Sequence, residues 1–482
     1  MAKIVARVRE QERLRELYSD GRPEFLVVYG RRRVGKTFLV REMFKDVFSF
    51  YHTALAPYDD NGEKTTTNQQ LQNFQSSLVR YGDEQPLAPV NWLEAFDRLI
   101  ALLEHKAEDN VRQVVFLDEL PWMDTAKSAF LSAFEHFWNG WGSGRDNLML
   151  IVCGSATTWI SDKILNGTGG LYNRTTAEIR LSPFTLAECS DFYEDRKLEI
   201  SLYDQLEYHM ILGGIPYYMN YIERGKSLAA NIDTLFFNKD SKLQSEFDRL
   251  FSSLFKRPEG YKRIIRFLAK ARTGFTRDEI AASTEIESGG GLSGMLDALE
   301  ASDFITKYKP FASKGKMVKY KLTDCFLLFY LTFADGIGAK GSGYWERFES
   351  GQKLSAWKGL AFESVCFNHI AQIKNALGIS GVYTEESAWI RDADKSARGA
   401  QIDMIIDRDD RIINLCEMKF VAGEYVVTSE EEEKIRIRKE AVSEAVLSRK
   451  SVHPVLITNN SLKQNAHSSI FQKVITAKNL MS

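Results

Sequence analysis

The chain has no apolar run of about 18 residues, so nothing in it would cross a bilayer as a helix. It has no CxxC pair, and its five cysteines (Cys153, Cys189, Cys325, Cys366 and Cys416) are scattered and odd in number. That argues against a zinc ribbon and against the disulfide framework of a small secreted fold. The cysteines read instead as small buried hydrophobes in a reducing cytoplasm. The opening MAKIVARVRE lacks the apolar stretch of a signal peptide. There is no excess of one charge either: 63 Lys and Arg against 65 Asp and Glu give a net charge of −2. Any contact with nucleic acid must therefore come from a local patch. What remains is a chain of 482 residues, 44% hydrophobic, with material for about two to four domains.

The most informative stretch is FLVVYGRRRVGKT, from Phe25 to Thr37. A β-branched apolar run meets Gly30; four residues intervene before Gly35, Lys36 and Thr37, and FLVREMF continues as a helix. This is the strand, glycine-rich loop and helix of a nucleotide-binding P-loop. The glycines let backbone N–H groups turn toward an anion, and the helix aims its positive end at the same point. Lys36 would reach the β- and γ-phosphates, and Thr37 would offer its hydroxyl to Mg²⁺. Ahead of it, Ile4 to Tyr18 reads as a short lead-in and a helix ending near Asp20; such a segment in P-loop ATPases often lies over the adenine, while Arg7, Arg9 and Glu10 read better as a solvated face.

Downstream, Phe48 to Pro57 reads as a strand and Trp92 to His105 as an amphipathic helix. In QVVFLDELPWM, Val114 to Leu117 form a buried strand ending in Asp118 and Glu119, the Walker B pattern. Asp118 would hold Mg²⁺ through water and Glu119 would polarise the attacking water. Glu119 is otherwise a helix-start carboxylate. After a helix from Ala126 to Asn139, NLMLIVCGSATTW gives another buried strand, Leu148 to Cys153, with Ser155 just beyond it. Ser155 either senses the γ-phosphate or caps a helix. Ala177 to Leu181 would complete the sheet, and Arg174 before it either contacts a neighbouring subunit's phosphate or pairs with an acid.

Residues 185–257 read as helices broken at Gly213, Gly214 and Pro216, suiting a helical lid or a plain kinked corner. From Tyr261 to Phe329, three short helices and a hairpin give the pattern of a winged helix. The hairpin carries Lys307, Lys309, Lys314, Lys316, Lys319 and Lys321, a basic wing suited to phosphates, although many such modules only bind proteins. Asp335 to Trp345 looks like a glycine-rich linker. Beyond it, a helix carries Glu363, a strand carries Asp403, and the next strand carries Glu417 and Lys419 on one face. Acids inside apolar strands need a partner or a metal. Asp403 and Glu417 could bind Mg²⁺, Glu363 could complete the site, and Lys419 could position the nucleophile. The alternative is a set of edge-strand salt bridges.

Assembled, these motifs resemble the archaeal-type ATPases of the AAA/STAND group over nearly the whole chain. VVYGRRRVGKT matches that family's P-loop, FLDE its Walker B, LIVCGSA its sensor strand and GGIPYY its lid motif. The final segment is similar to the PD-(D/E)XK nuclease fold, with Glu363, Asp403, Glu417 and Lys419 on its motif and Ile402 where the naming proline would stand. The resemblance implies an α/β fold with four parts: a P-loop ATPase core over 1–184, a helical lid over 185–257, a winged helix over 258–334, and a nuclease-like domain over 345–482. The implied ligands are ATP and Mg²⁺. Gly30, Arg31, Arg32, Arg33, Val34, Gly35, Lys36, Thr37, Phe38, Asp118, Ser155 and Arg174 would line the nucleotide, with Thr37 and Asp118 on its metal. Glu119 would be catalytic there, and Glu363, Asp403, Glu417 and Lys419 in the nuclease-like part. The implied partners are DNA and further copies of the chain, and no membrane. Two functions compete: ATP hydrolysis controlling a Mg²⁺-dependent nuclease, or an ATP-dependent switch or DNA-binding regulator whose nuclease fold does not cut.

Overall fold

The computed structural model describes residues 4–58, 62–108, 111–155, 157–167, 169–313, 317–341, 343–348, 351–391, 400–446 and 449–482. The chain forms two compact units: residues 1–182 with 252–256, and residues 183–251 with 257–482.

The first unit is built on a parallel five-stranded sheet. Its strands are β1 (Glu24–Tyr29), β2 (Phe48–Thr53), β3 (Gln113–Asp118), β4 (Leu148–Gly154) and β5 (Ala177–Arg180), in the order β2-β3-β4-β1-β5. Strands β1, β3 and β4 are buried along almost their whole length, as expected of parallel strands covered on both faces. Helices α1 (Val8–Ser19), α2 (Lys36–Phe44), α3 (Thr67–Arg80), α4 (Trp92–His105) and α5 (Phe130–Gly140) accompany the sheet. One face is closed by an aromatic core in which Trp92, Phe96, Phe130, Phe134 and Phe137 pack together beneath Phe25 and Phe74. The Trp92–His105 helix falls where its apolar spacing put it, with Asn91 capping its first turn.

Arg7 departs from the solvated face expected of it. It is buried, adopts a left-handed φ of 57°, and donates to the Ser182 carbonyl at 2.5 Å. The carbonyl lies 175 residues away, so no local pattern could announce the contact.

In the second unit, helices Pro258–Leu268, Arg277–Thr284 and Gly290–Ala301 accompany a three-stranded antiparallel sheet. Its strands are β6 (Phe275–Thr276), β7 (Ile305–Tyr308) and β8 (Lys319–Leu322), in the order β6-β8-β7. Lys314 and Lys316 lie outside the described residues. A further mixed sheet runs β13-β12-β11-β10-β9, from β9 (Thr384–Arg391), β10 (Ala400–Arg408), β11 (Ile412–Lys419), β12 (Ser451–Thr458) and β13 (Lys473–Thr476). Strands β9, β10 and β11 pair antiparallel, while β11, β12 and β13 pair parallel, with the helix Ser429–Ala445 in the β11–β12 crossover.

The expected linker, Asp335 to Trp345, is anchored at its far end. Trp345 is 2% exposed and stacks on Phe237 with centroids 5.8 Å apart. Asp233 accepts from the Gly343 and Trp345 N–H groups at 2.9 and 2.7 Å. The glycines that suggested flexibility serve positive-φ turns, as at Gly336 and Gly341. The break at Gly213–Pro216 is a helix corner: Leu202–Leu212 ends on Gly213 in the left-handed region, and Pro216 opens the next helix. All five cysteines are buried.

Candidate functional site

At the end of β1 the chain must turn sharply, and Gly30 allows it. Its φ is 133°, and a Cβ there would come 2.1 Å from the Leu181 carbonyl oxygen, so no other residue fits without moving the backbone. Gly35 caps α2 with a φ of 93° and has nothing within 4 Å of where a Cβ would stand, which leaves the mouth of the loop open. Arg33 also takes a positive φ, 75°. Arg31, Val34 and Lys36 are buried in the loop, while Phe38 is 46% exposed beside it. The Arg32 guanidinium lies over the Trp122 ring, 5.7 Å from its centroid.

Lys36 donates to the Gly30 and Arg31 carbonyls at 2.9 and 2.8 Å, so its ammonium closes the loop on itself. The Thr37 hydroxyl donates to both oxygens of Asp118, at 2.9 and 3.2 Å. β4 separates β1 from β3, yet parallel register carries both strand ends to the same edge of the sheet, and this lets the two motifs meet. Thr53, at the end of β2, makes a longer contact to Asp118 at 3.4 Å; sequence reading did not single it out. Burial and the neighbouring Glu119 push the Asp118 carboxyl up to about 6, while the Thr37 hydroxyl and Lys36 pull it back. A buried carboxylate held this far above its ordinary range has unmet demand for positive charge, which a divalent cation would supply.

Glu119 has a left-handed backbone, φ 52°, and makes no side-chain cap bond to the short helix after it, so it is no helix-start carboxylate. Its carboxylate accepts instead from the Ser155 N–H at 3.1 Å and the Ser155 hydroxyl at 2.9 Å. Ser155 thus orients Glu119 from the end of the neighbouring strand. Arg174 is exposed, and among the described residues no ion pair holds it.

These residues fit a Mg²⁺-bound nucleoside triphosphate. Gly30 turns the chain where any Cβ would strike the Leu181 carbonyl, a buried ammonium sits within the loop on its own carbonyls, and a hydroxyl and a buried acid stand together beside it. The nucleotide, when bound, supplies the phosphorus centre and the charge. Lys36 and the loop N–H groups would neutralise phosphate oxygens, Thr37 and Asp118 would hold the metal's shell, and Glu119 would take a proton from water.

The second cluster lies in the other unit. Met404 pairs with Cys416 across β10 and β11, which sets Asp403 opposite Glu417 one step further along. Both strands are interior to their sheet, so these are not edge-strand salt bridges. Lys419 sits 2.7 Å from Glu417, as their shared face requires, and Arg438 of the crossover helix pairs with the other Glu417 oxygen. Glu363, on the helix Gln352–Asn368, is 4% exposed and lies between Lys321 Nζ and Arg272 Nη1, each at 3.6 Å. Burial, then Glu363 and Glu417, push Asp403 up to about 7. The four sequence-predicted residues are therefore brought to one place. As arranged they do not fit a bound metal: Glu363 and Glu417 are each held by two cations, and among the described residues no group of three or more His, Cys, Asp or Glu is set to hold one.

Sequence reading missed Arg272, Lys321 and Arg438. Lys321 is a correction, since it is 3% exposed and cannot serve a wing that grips phosphates. The hairpin's run of lysines suggested a basic wing; in the fold, Lys321 of β8 meets Phe367 and Glu363 of the helix Gln352–Asn368.

Residues 4–222 match a family model described as an ATPase domain predominantly from Archaea. That stretch contains Gly30 to Phe38, Asp118, Glu119, Ser155 and Arg174, and the match supports ATP binding and hydrolysis there. An uncharacterised protein of Methanocaldococcus jannaschii is 24% identical over 414 residues, covering 84% of each chain. Among solved structures, the Walker-type ATPase of Pyrococcus abyssi aligns at 19% identity with a TM-score of 0.47, covering 68% of this chain and 96% of its own. The ORC2 protein of Aeropyrum pernix, solved as ADPNP–ADP complexes, aligns at 14% identity with a TM-score of 0.41, covering 69% and 94%.

Proposed function

We propose that the chain is a Mg²⁺-dependent ATPase whose nucleotide state governs a DNA-directed C-terminal module with a winged helix and a nuclease-like fold. The observation that carries the ATPase part is the meeting of Thr37 and Asp118 beside a buried Lys36, with Glu119 held next to them by Ser155. The family match over residues 4–222 supports it. The four-part domain division and the winged-helix assignment rest on the order of elements and on the exposed Lys307 and Lys309. The nuclease-like assignment rests on Glu363, Asp403, Glu417 and Lys419 gathering at one place.

A second reading keeps the ATPase and replaces cutting with switching. It is favoured by the ion pairs that occupy Glu363 and Glu417. The test is release of phosphate from ATP by wild type, Lys36→Ala and Glu119→Gln, with and without duplex DNA and Mg²⁺. Wild type hydrolyses ATP, Lys36→Ala loses binding, and Glu119→Gln binds without turnover. Hydrolysis that survives in both variants would contradict the proposal. Cleavage of DNA lost in Asp403→Ala selects the nuclease; intact DNA under every condition selects the switch.

A further inference from the structure

Two hydroxyls from different elements reach Asp118. Thr37, on α2, contacts both of its oxygens, while Thr53, at the end of β2, contacts Oδ2 alone at 3.4 Å. The backbone at Thr53 is pinned on both sides. Parallel register sets it beside Asp118, and the next residue, Ala54, donates its N–H to the Asp118 carbonyl at 3.1 Å. Asn73 of α3 donates to the Thr53 carbonyl at 2.9 Å. Two residues back, on the same face of β2, the Tyr51 ring lies nearly parallel to that of Phe116 with centroids 5.2 Å apart. Its hydroxyl is 2.8 Å from that of Thr53. A hydroxyl has one proton to give and two lone pairs to receive with. When Tyr51 gives its proton to Thr53, the Thr53 proton is left for Asp118.

Thr53 is exposed and Tyr51 only partly buried, so neither hydroxyl is there to satisfy a core. Valine, equally β-branched, would serve the strand as well. What the threonine adds is a donor on the carboxylate. A carboxylate that holds a cation through water has to keep a fixed oxygen toward the metal's shell, and the groups that orient it set the metal's affinity. Thr37 would be engaged by the metal itself. Thr53 lies outside the loop and holds Asp118 whether or not nucleotide is bound. We propose that Thr53, backed by Tyr51, is a positioning residue for the nucleotide's metal: its hydroxyl fixes the orientation of Asp118 from the β2 side, so that metal affinity depends on it and phosphate affinity does not. This rests on the Mg²⁺–nucleotide reading of the site and adds a residue to the metal's support.

The test measures metal apart from nucleotide. Full-length protein carrying one equivalent of ADP is titrated with Mn²⁺, free Mn²⁺ being read by electron paramagnetic resonance, and ADP affinity is measured by calorimetry in EDTA and in Mn²⁺. Thr53→Val should weaken Mn²⁺ binding by about tenfold or more and leave ADP affinity in EDTA unchanged. Thr53→Ser keeps the donor and should bind Mn²⁺ as wild type does, while Tyr51→Phe should weaken it a few-fold. Wild-type Mn²⁺ affinity in Thr53→Val, or an equal loss of ADP affinity with and without metal, overturns the positioning role and leaves the nucleotide site standing. If wild type holds no more Mn²⁺ than Asp118→Asn does, the metal reading of the site fails and takes the inference with it. Should Thr53→Val not fold, Thr53→Ala at this exposed position decides by the same outcomes.

Discussion

Asp118→Asn separates stability from function at the nucleotide site. Asp118 is 3% exposed, and burial together with Glu119 lifts its carboxyl from 3.8 to about 6. A carboxyl whose pKa is higher folded than unfolded takes up protons on folding between those two values. Stability is therefore fully present below about 3.8 and declines as pH rises through about 6, the reverse of a salt-bridged acid. At neutral pH the ionised carboxylate costs the nucleotide-free protein about 2–3 kcal/mol, from a shift of roughly two pKa units at about 1.4 kcal/mol each. Asparagine retains an acceptor for the Thr37 and Thr53 hydroxyls and carries no charge. The variant should thus be more stable than wild type at pH 7 by about 2–3 kcal/mol. That corresponds to a rise of about 4–10 °C in the melting transition of a unit of this size. The gain should vanish near pH 4, and Mg²⁺–ATP, which stabilises wild type, should no longer stabilise the variant. Melting followed by circular dichroism at pH 4, 5.5 and 7 measures all three. A variant less stable than wild type at pH 7, or an advantage independent of pH, would refute the claim that Asp118 is held at the expense of stability for a cation.

Other consequences follow from the same geometry. Gly30→Ala forces a Cβ against the Leu181 carbonyl and should cost about 3 kcal/mol and abolish nucleotide binding, whereas Gly35→Ala, with open space around it, should cost about 1 kcal/mol; paired melts and nucleotide titrations compare them. Ser155→Ala removes the hydroxyl that orients Glu119 and should lower kcat about tenfold or more with little change in ATP affinity, which steady-state hydrolysis resolves. Trp345→Ala should destabilise the second unit by about 3–5 kcal/mol, and limited proteolysis of wild type should spare the bonds around Gly343–Trp345, because both residues are anchored on Asp233. His52 is buried beside Ser77 and held down to about 3, so it stays neutral in the fold while the unfolded chain protonates near 6.5; its contribution is present above about 6.5 and is lost as pH falls toward 3, an acid-side loss of stability that His52→Gln should reduce.

The parts that sequence revealed are those set by local chemistry. Gly30, Gly35 and Lys36 announce the loop because each has a conformational or electrostatic reason to be at its own spacing. The runs Val114–Leu117 and Leu148–Cys153 announce buried parallel strands because covered strands are apolar throughout. The Trp92 helix was legible from its 3.6-residue period. The parts that were not legible depend on what packs against a residue from far along the chain. Arg7 looked solvated because its acceptor, Ser182, is remote. Lys321 looked like part of a basic wing because nothing near it in sequence says that Glu363 meets it. Glycines at 336, 338, 341 and 343 signalled freedom but not the anchoring of Trp345 that follows them. At the acid cluster, sequence pattern found the carboxylates and one lysine, and missed Arg272, Lys321 and Arg438, which pair with Glu363 and Glu417.

The central claim is that the loop from Gly30 to Thr37 encloses the phosphates of ATP through Lys36. Isothermal titration of full-length protein with ATP in Mg²⁺ tests it most directly, with Lys36→Ala titrated alongside. One ATP per chain in wild type and no measurable heat in the variant is the predicted result; absence of binding in wild type, or equal binding in both, would contradict it.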